Sequence, residues 1–359
     1  MCPAITIDAL SMPRAYALDF LRLLASLAIA MGHVTRREHW PGHLHSYLLA
    51  GLSSSLFFLL SGFVLAASQG FWKRSLARHA AERAYRLLPP HWFAFALLVP
   101  LALTGADRVP TEEFLQVLWW WLPGLQSLMP PGETANGWNY PAWAITPLLI
   151  GGLTLPWLRW SRLRERGAVW IVALLVLLYA LRLGLTWMAG APANTGEYHA
   201  LHTSLWPRVL EVNLGALAAL WLERQPAPLG GKDQSFALWS IVCLLLLVVA
   251  AEFGGAAGKY YFTHGLCVAP LLALIASAYR NRGLVQAFAS HPALAYVASS
   301  SLLIWLLHIP VDTYWKRFWV IMDASLEWIH SPVSALLSLA VTISIACLAR
   351  PLLLWRPFR

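Results

Sequence analysis

The sequence predicts an all-α integral membrane protein of about ten transmembrane helices with both termini cytoplasmic. Three observations carry that reading. Of the 359 residues, 58% are hydrophobic and 12% charged, with a mean hydropathy of +0.58, whereas soluble domains carry about 25% charged residues. Apolar runs near the ~20-residue length that crosses a hydrocarbon core recur from end to end, and in that medium a helix satisfies its own backbone. Basic residues gather in alternate links between the runs, as expected when arginine and lysine stay on the cytoplasmic side. The formal charge of +9 therefore reads as topology and not as a nucleic-acid surface, and no nucleic-acid motif is present.

Candidate helices lie near 15–34, 47–69, 89–104, 141–158, 168–188, 205–223, 235–253, 262–279, 293–311 and 332–354. The stretch from Phe114 to Met129, with Trp119, Trp120 and Trp121 and a central Pro123-Gly124, is short and aromatic. It is assigned to the interface, where such rings settle, and not to a further crossing. The first window follows Arg14 and ends in Ala28-Ile29-Ala30, yet Asp19 and Arg22 interrupt its apolar run. A signal-peptide core rarely tolerates such charges, so the window reads as a retained helix. No large soluble insertion or low-complexity linker breaks the pattern, and residues 1–359 read as one transmembrane domain.

Orientation follows from the links. Lys73, Arg74, Arg78, Arg83 and Arg86 follow the second window, and Arg159, Arg162, Arg164 and Arg166 follow the fourth. Arg224, Lys232, Arg280, Arg282, Arg356 and Arg359 fall on the same side, while Asp107, Glu112, Glu113, Glu133 and Glu197 fall on the other. Arg36-Arg37, Arg108, Lys259 and Lys316-Arg317 run against the rule. Cys2, Cys243, Cys267 and Cys347 are scattered, without metal or disulfide spacing, and read as packing residues.

Ionisable residues stand near both ends of the first helix. At about 100° per residue, Asp19, Arg22, Ser26 and His33 fall within about 60° of one another, forming a polar stripe. Arg22 and His33 are about 16 Å apart along the axis. A ligand anionic at one end and reactive at the other suits that distance. Coenzyme A has this shape, with phosphates for arginine's planar fork and a long arm carrying the thioester. On spacing alone a second reading stands equally: Asp19–Arg22 as an ion pair at the membrane face and His33 as a residue of the far interface.

Four further segments carry polar residues where apolar ones are expected. Phe57 to Phe63 contains Ser61-Gly62, which also suits close helix packing. Arg83-Ala84-Tyr85-Arg86-Leu87-Leu88-Pro89 reads as a basic turn into the third span, its two arginines on one helical face. Arg208-Val209-Leu210-Glu211 precedes Gly215, and Leu307-His308-Ile309-Pro310 closes the ninth window. His39, His43 and His45 lack a cysteine partner and have only Glu38 as a nearby acid, so no metal site is assigned.

In this order, the segments resemble acyltransferase family 3 of membrane acyltransferases over nearly the whole chain. Arg22 and His33 are similar to its Arg, ten residues, His pattern. Phe57–Phe63 resembles its Phe-Phe-x-Leu-Ser-Gly-Phe run, and Arg83, Arg86 and Pro89 its Arg-x-x-Arg-x-x-Pro loop. Arg208, Glu211 and Gly215 resemble its mid-chain helix, and Ser301 to Pro310 its closing segment. The chain departs from the family after Pro141-Ala142-Trp143, where Ala144-Ile145-Thr146-Pro147-Leu148 stands in place of a run ending in glutamate. Glu133 and Glu211 are the available substitutes for that acid.

The resemblance implies an O-acyltransferase of the bacterial cytoplasmic (inner) membrane. It would move an acyl group, commonly acetyl, from cytoplasmic acyl-coenzyme A to a hydroxyl of an exported carbohydrate or related acceptor, as in polysaccharide O-acetylation. No permanently bound cofactor is implied; the donor enters as a substrate, and membrane lipids surround the chain. Arg22, Arg83 and Arg86 would hold the donor's phosphates, with Asp19 orienting Arg22 and Ser61 on the donor side. His33 would act as general base or as an acylated nucleophile. Trp143, Glu211 and His308 are the acceptor-side candidates. Two other readings remain open at this point. A transporter would show paired halves with matching broken helices, and no such repeat is visible. An inactive relative would fit the lost glutamate but not the retention of Arg22 and His33.

Overall fold

The computed structural model describes residues 15–35, 46–103, 111–129, 139–163, 165–191, 202–225, 232–280 and 283–354. Every regular element among them is helical. Numbering helices of ten residues or more, the chain forms α1 (Tyr16–Val34), α2 (Ser46–Ala67), α3 (Leu76–Leu103), α4 (Thr111–Trp121) and α5 (Ile145–Thr154). It continues through α6 (Ala168–Ala189), α7 (Leu205–Glu223), α8 (Lys232–Phe253), α9 (Val268–Arg280), α10 (Ser301–Ile321) and α11 (Pro332–Leu353). A 3₁₀ turn, Tyr140–Ala144, leads into α5, a π turn, Phe262–Leu266, leads into α9, and Pro292–Ala298 meets α10 at a bend of 64°.

Helix occupies each apolar window of the sequence. Among the described residues, four helical stretches, Tyr16–Val34, Tyr140–Trp160, Ala168–Ala189 and Pro332–Leu353, have the length and apolarity to cross a membrane, and the bent pair at Pro292–Ile321 makes a fifth. The aromatic segment folds as α4, which at 1.5 Å per residue reaches about 17 Å, short of the ~30 Å hydrocarbon core.

One expectation is corrected. The Arg83–Pro89 segment is not a turn: α3 runs unbroken through it with Pro89 and Pro90 inside the helix. Each proline removes one N–H and frees a carbonyl a turn earlier, while Leu, Ala and Arg on either side are strong helix formers that carry the helix through. The two arginines therefore project from a helix and not from a loop.

The centre of the bundle is the packing of α2 on α7, the most extensive helix pair, with α1, α5, α6 and α9 around it. Glycine makes that contact possible. A Cβ on Gly62 would lie 1.7 Å from the Val212 carbonyl oxygen, and one on Gly215 would lie 2.0 Å from that of Leu59. The two backbones touch, as small residues allow in membrane helices. By contrast, α6 is turned outward, with Trp170, Val176, Leu177, Trp187 and Met188 exposed and only Ile171, Arg182 and Thr186 buried.

Gly62→Ala or Gly215→Ala is expected to destabilise the fold by at least the ~1–3 kcal/mol of an overpacked core, while Gly184→Ala, whose Cβ would meet open space, is tolerated. Thermal unfolding of the detergent-purified variants checks this; equal midpoints for all three would contradict the backbone contact.

Candidate active site

The polar stripe of α1 survives folding. Arg22 pairs with Asp19 through Nη1 and Oδ1 at 3.5 Å, and its guanidinium lies 6.0 Å from the Phe57 ring centroid. Ser26, one turn further, is fully buried, and its Oγ has no hydrogen-bond partner among the described residues. The helix ends at Val34 because Thr35 turns extended and its hydroxyl bonds the Met31 carbonyl at 2.5 Å. His33 stands on this last turn.

His33 meets a second histidine. Its Nδ1 is 2.9 Å from Nε2 of His308 on α10, the two rings nearly parallel at 8°. Tyr140, on the 3₁₀ turn, packs edge-on against His33 with centroids 5.4 Å apart. His308 is completely buried. Its Nδ1 has no hydrogen-bond partner among the described residues. The 3₁₀ turn is tied to the same helix, since Trp305 Nε1 donates to Pro141 O at 3.2 Å and Asn139 Nδ2 to Leu306 O at 3.0 Å.

At the other end of α1 the arginines converge. Arg83 on α3 is buried, and its Nη2 donates to the Leu148 carbonyl at 2.8 Å. Gly152 leaves it room, for a Cβ there would come within 2.4 Å of Arg83 Nε. That Nε has no hydrogen-bond partner and no carboxylate pairs with Arg83 among the described residues. Its electrostatic neighbours are Arg86 and Arg22. Arg86 is exposed, and Ser61 is half-buried beside the Gly62 crossing.

The acceptor-side candidates have different surroundings from one another. Glu211 is fully buried between two arginines, Arg208 on its own helix and Arg182 from α6, each at 2.9 Å. Ser55 adds a hydroxyl at 3.0 Å, and Arg208 also donates to the His202 carbonyl at 3.2 Å. Trp143 packs against His202 with centroids 5.1 Å apart and lies 5.7 Å from the Arg208 guanidinium. Glu211 and Trp143 therefore gather around Arg208, while His308 belongs with His33. Glu133, His39, His43 and His45 lie outside the described residues, and no group of three metal-ligating side chains occurs among those described. Cys243, Cys267 and Cys347 are free thiols.

Charged and polar groups lined up inside an apolar helical bundle define a membrane protein with chemistry in its interior. A family model described as an acyltransferase domain, that of acyltransferase family 3, matches residues 15–350, and the chain belongs to that family. Acyltransferase MdmB of Streptomyces mycarofaciens is 29% identical over 163 residues, 41% of this chain and 39% of that protein, so the match covers well under half of the relative's length. No solved structure matches.

Sequence reasoning missed Arg182, His202, His264 and Tyr140. Arg182 carried a signal, since it is the one charged residue inside the otherwise apolar run 168–189. The histidines and Tyr140 sit at helix ends or turns and carried none.

Glu211→Gln leaves two buried guanidinium groups without a carboxylate. It is expected to lower stability by about 3–5 kcal/mol, the penalty for breaking a buried pair. An unchanged unfolding midpoint would show that the two arginines do not need it.

Proposed function

We propose that this protein is a multi-pass O-acyltransferase of the bacterial cytoplasmic membrane, crossing it about ten times as one domain with both termini cytoplasmic. It transfers an acyl group, acetyl in the form we favour, from acyl-coenzyme A to a hydroxyl of an exported carbohydrate or related acceptor. The observation that carries the reading is the stripe on α1, which joins an arginine cluster at one end to a hydrogen-bonded histidine pair at the other.

In this reading, Arg22, Arg83 and Arg86 hold the donor's phosphates on the cytoplasmic side, through charge-assisted bonds that arginine forms bidentately. Asp19 fixes the direction of Arg22. The pantetheine arm follows the stripe and brings the thioester to His33. With Nδ1 of His33 committed to His308, Nε2 is the nitrogen that takes the acceptor's proton. The hydroxyl oxygen attacks the thioester carbonyl carbon, the C–S bond breaks, and the proton on His33 passes to the departing thiolate. His308 is a positioning residue: its Nε2 accepts from His33 Nδ1–H and fixes the tautomer that leaves Nε2 of His33 basic.

Membranes holding equal amounts of wild type and His33→Ala, given labelled acetyl-coenzyme A, test the assignment. Label on extracytoplasmic glycans is expected to fall by about 10²–10⁴-fold in the variant. Equal label would remove His33 from the mechanism; no label from either would remove the donor or the acceptor. His308→Gln is expected to lower kcat and shift the pH profile while leaving the KM for donor unchanged, whereas a purely structural role would lower folded yield instead.

Arg22→Gln is expected to raise the KM for acetyl-coenzyme A by about 10–100-fold, the worth of one bond to a charged group. The KM for S-acetyl-N-acetylcysteamine, which has the thioester but no phosphates, should stay level. A parallel rise for both donors would rule out phosphate binding at Arg22.

A further inference from the structure

A cavity of about 190 Å³ opens beside the Arg182–Glu211–Arg208 cluster, at the His33 end of the bundle. Arg182, Thr186 and His264 stand in its wall with Tyr260 and Ser204, and Trp206 lies at its edge, 63% exposed. At about 30 Å³ per water, the space equals roughly six waters, enough for one monosaccharide-sized group.

The charge beside this cavity does not balance. Arg182 and Arg208 are 1% and 0% exposed, and Glu211 is the one carboxylate that pairs with either among the described residues. Two permanently charged guanidinium groups and one carboxylate leave a net positive charge in the interior, an arrangement costly in a membrane protein unless it serves a ligand. The placement of Arg182 sharpens the point. It lies on the lipid-facing helix α6, is one of only three buried residues there, and borders the cavity. Its Nη1 bonds the Thr186 hydroxyl at 2.5 Å, and that hydroxyl also bonds the His264 carbonyl at 2.6 Å, within the π turn Phe262–Leu266. π turns of this kind gather at functional sites.

We propose that this cavity binds an oxyanion-bearing group no larger than one monosaccharide, a carboxylate or phosphate whose charge completes the Arg182–Glu211–Arg208 cluster. The hydroxyls of Ser204 and Tyr260 supply further donors, and the rings of Trp206 and Tyr260 supply the flat apolar surface that a sugar ring or the glycerol of a lipid headgroup packs against. The same chemistry arrives from two sources, a water-soluble anionic sugar or the headgroup of an anionic lipid. The inference goes beyond acyl transfer and does not depend on it.

The test needs no turnover. Thermal unfolding of the detergent-purified full chain is followed with glucuronate, inorganic phosphate or short-chain phosphatidylglycerol, and with glucose and short-chain phosphatidylcholine as neutral counterparts. At least one anionic probe is expected to raise the midpoint by several degrees while its neutral counterpart does not. A shift with glucuronate or phosphate assigns a water-soluble anion, and a shift with phosphatidylglycerol alone assigns a lipid headgroup. Arg182→Gln removes the excess charge and leaves the Arg208–Glu211 pair neutral, so it should fold and lose the shift. Ala189→Phe, which fills the cavity from its exposed wall and leaves the cluster intact, should lose it too. No shift with any anion, or a shift that survives Ala189→Phe, overturns the proposal and leaves the acyl-transfer reading standing or falling on His33→Ala.

Discussion

The rest of the structure depends on the place where α2 and α7 touch backbone to backbone. Gly62 and Gly215 each lie against a carbonyl of the other helix, so the register of the pair is fixed to within a fraction of a turn; any slip drives a side chain into that seam. From this crossing the polar positions follow. Glu211 is about one turn from Gly215 and Ser55 about two turns from Gly62, which is why the Ser55 hydroxyl reaches the Glu211 carboxylate. Phe57 and Phe58, adjacent in sequence, both meet the Trp305 ring but lie under different arginines. Phe57 packs on Trp305 and lies under Arg22, while Phe58 packs on Trp143 and lies under Arg208. Helix α2 is therefore the partition between the stripe of α1 and the buried ion cluster of α7.

Burial decides how each side of the partition behaves. The lipid core offers no water to an unmatched polar group, so charge inside the bundle must be paired or reserved for a ligand. The Arg208–Glu211–Arg182 cluster is internally hydrogen-bonded, and Asn213, a turn after Val209, bonds the Val209 carbonyl and the Thr154 hydroxyl. The stripe is built differently. Ser26 Oγ, midway along α1, and Arg83 Nε, beside its Arg22 end, are buried without partners among the described residues. A long ligand laid along that face offers amide and phosphate groups that would satisfy them.

The helical windows were legible because apolar length is a strong signal in a membrane chain, and Gly62 was legible as a packing residue. The three-dimensional pairing was not. His33 and His308 are 275 residues apart, and their contact depends on how α10 bends away from Pro292–Ala298, which no local pattern encodes. Glu211 read as an acceptor-side candidate, and its sequence neighbours gave no hint of Arg182, which arrives from a helix that is otherwise turned outward. Arg83 and Arg86 read as turn residues because basic residues gather in the links between spans; the helix-forming residues around Pro89 and Pro90 outweighed the missing N–H groups.

The departure from the family pattern after Trp143 has a physical consequence at Arg83. The position five residues beyond Trp143 is Leu148, and it meets Arg83 through its backbone carbonyl. A carboxylate side chain on this stretch of α5, packed as it is against α3, would stand within reach of a buried arginine and neutralise it. Leucine leaves the guanidinium with one carbonyl, a bare Nε and two neighbouring arginines, so the local field is strongly positive. Thr146, two residues earlier, is tied down elsewhere: its hydroxyl donates to the Gly124 carbonyl at 2.8 Å and accepts from Ser127 N–H at 3.1 Å. Leucine in place of the acid and the absence of a carboxylate partner for Arg83 among the described residues are thus two sides of one arrangement. In the proposed reading, that arrangement favours the polyanionic donor at this end of α1 more strongly than a paired arginine would.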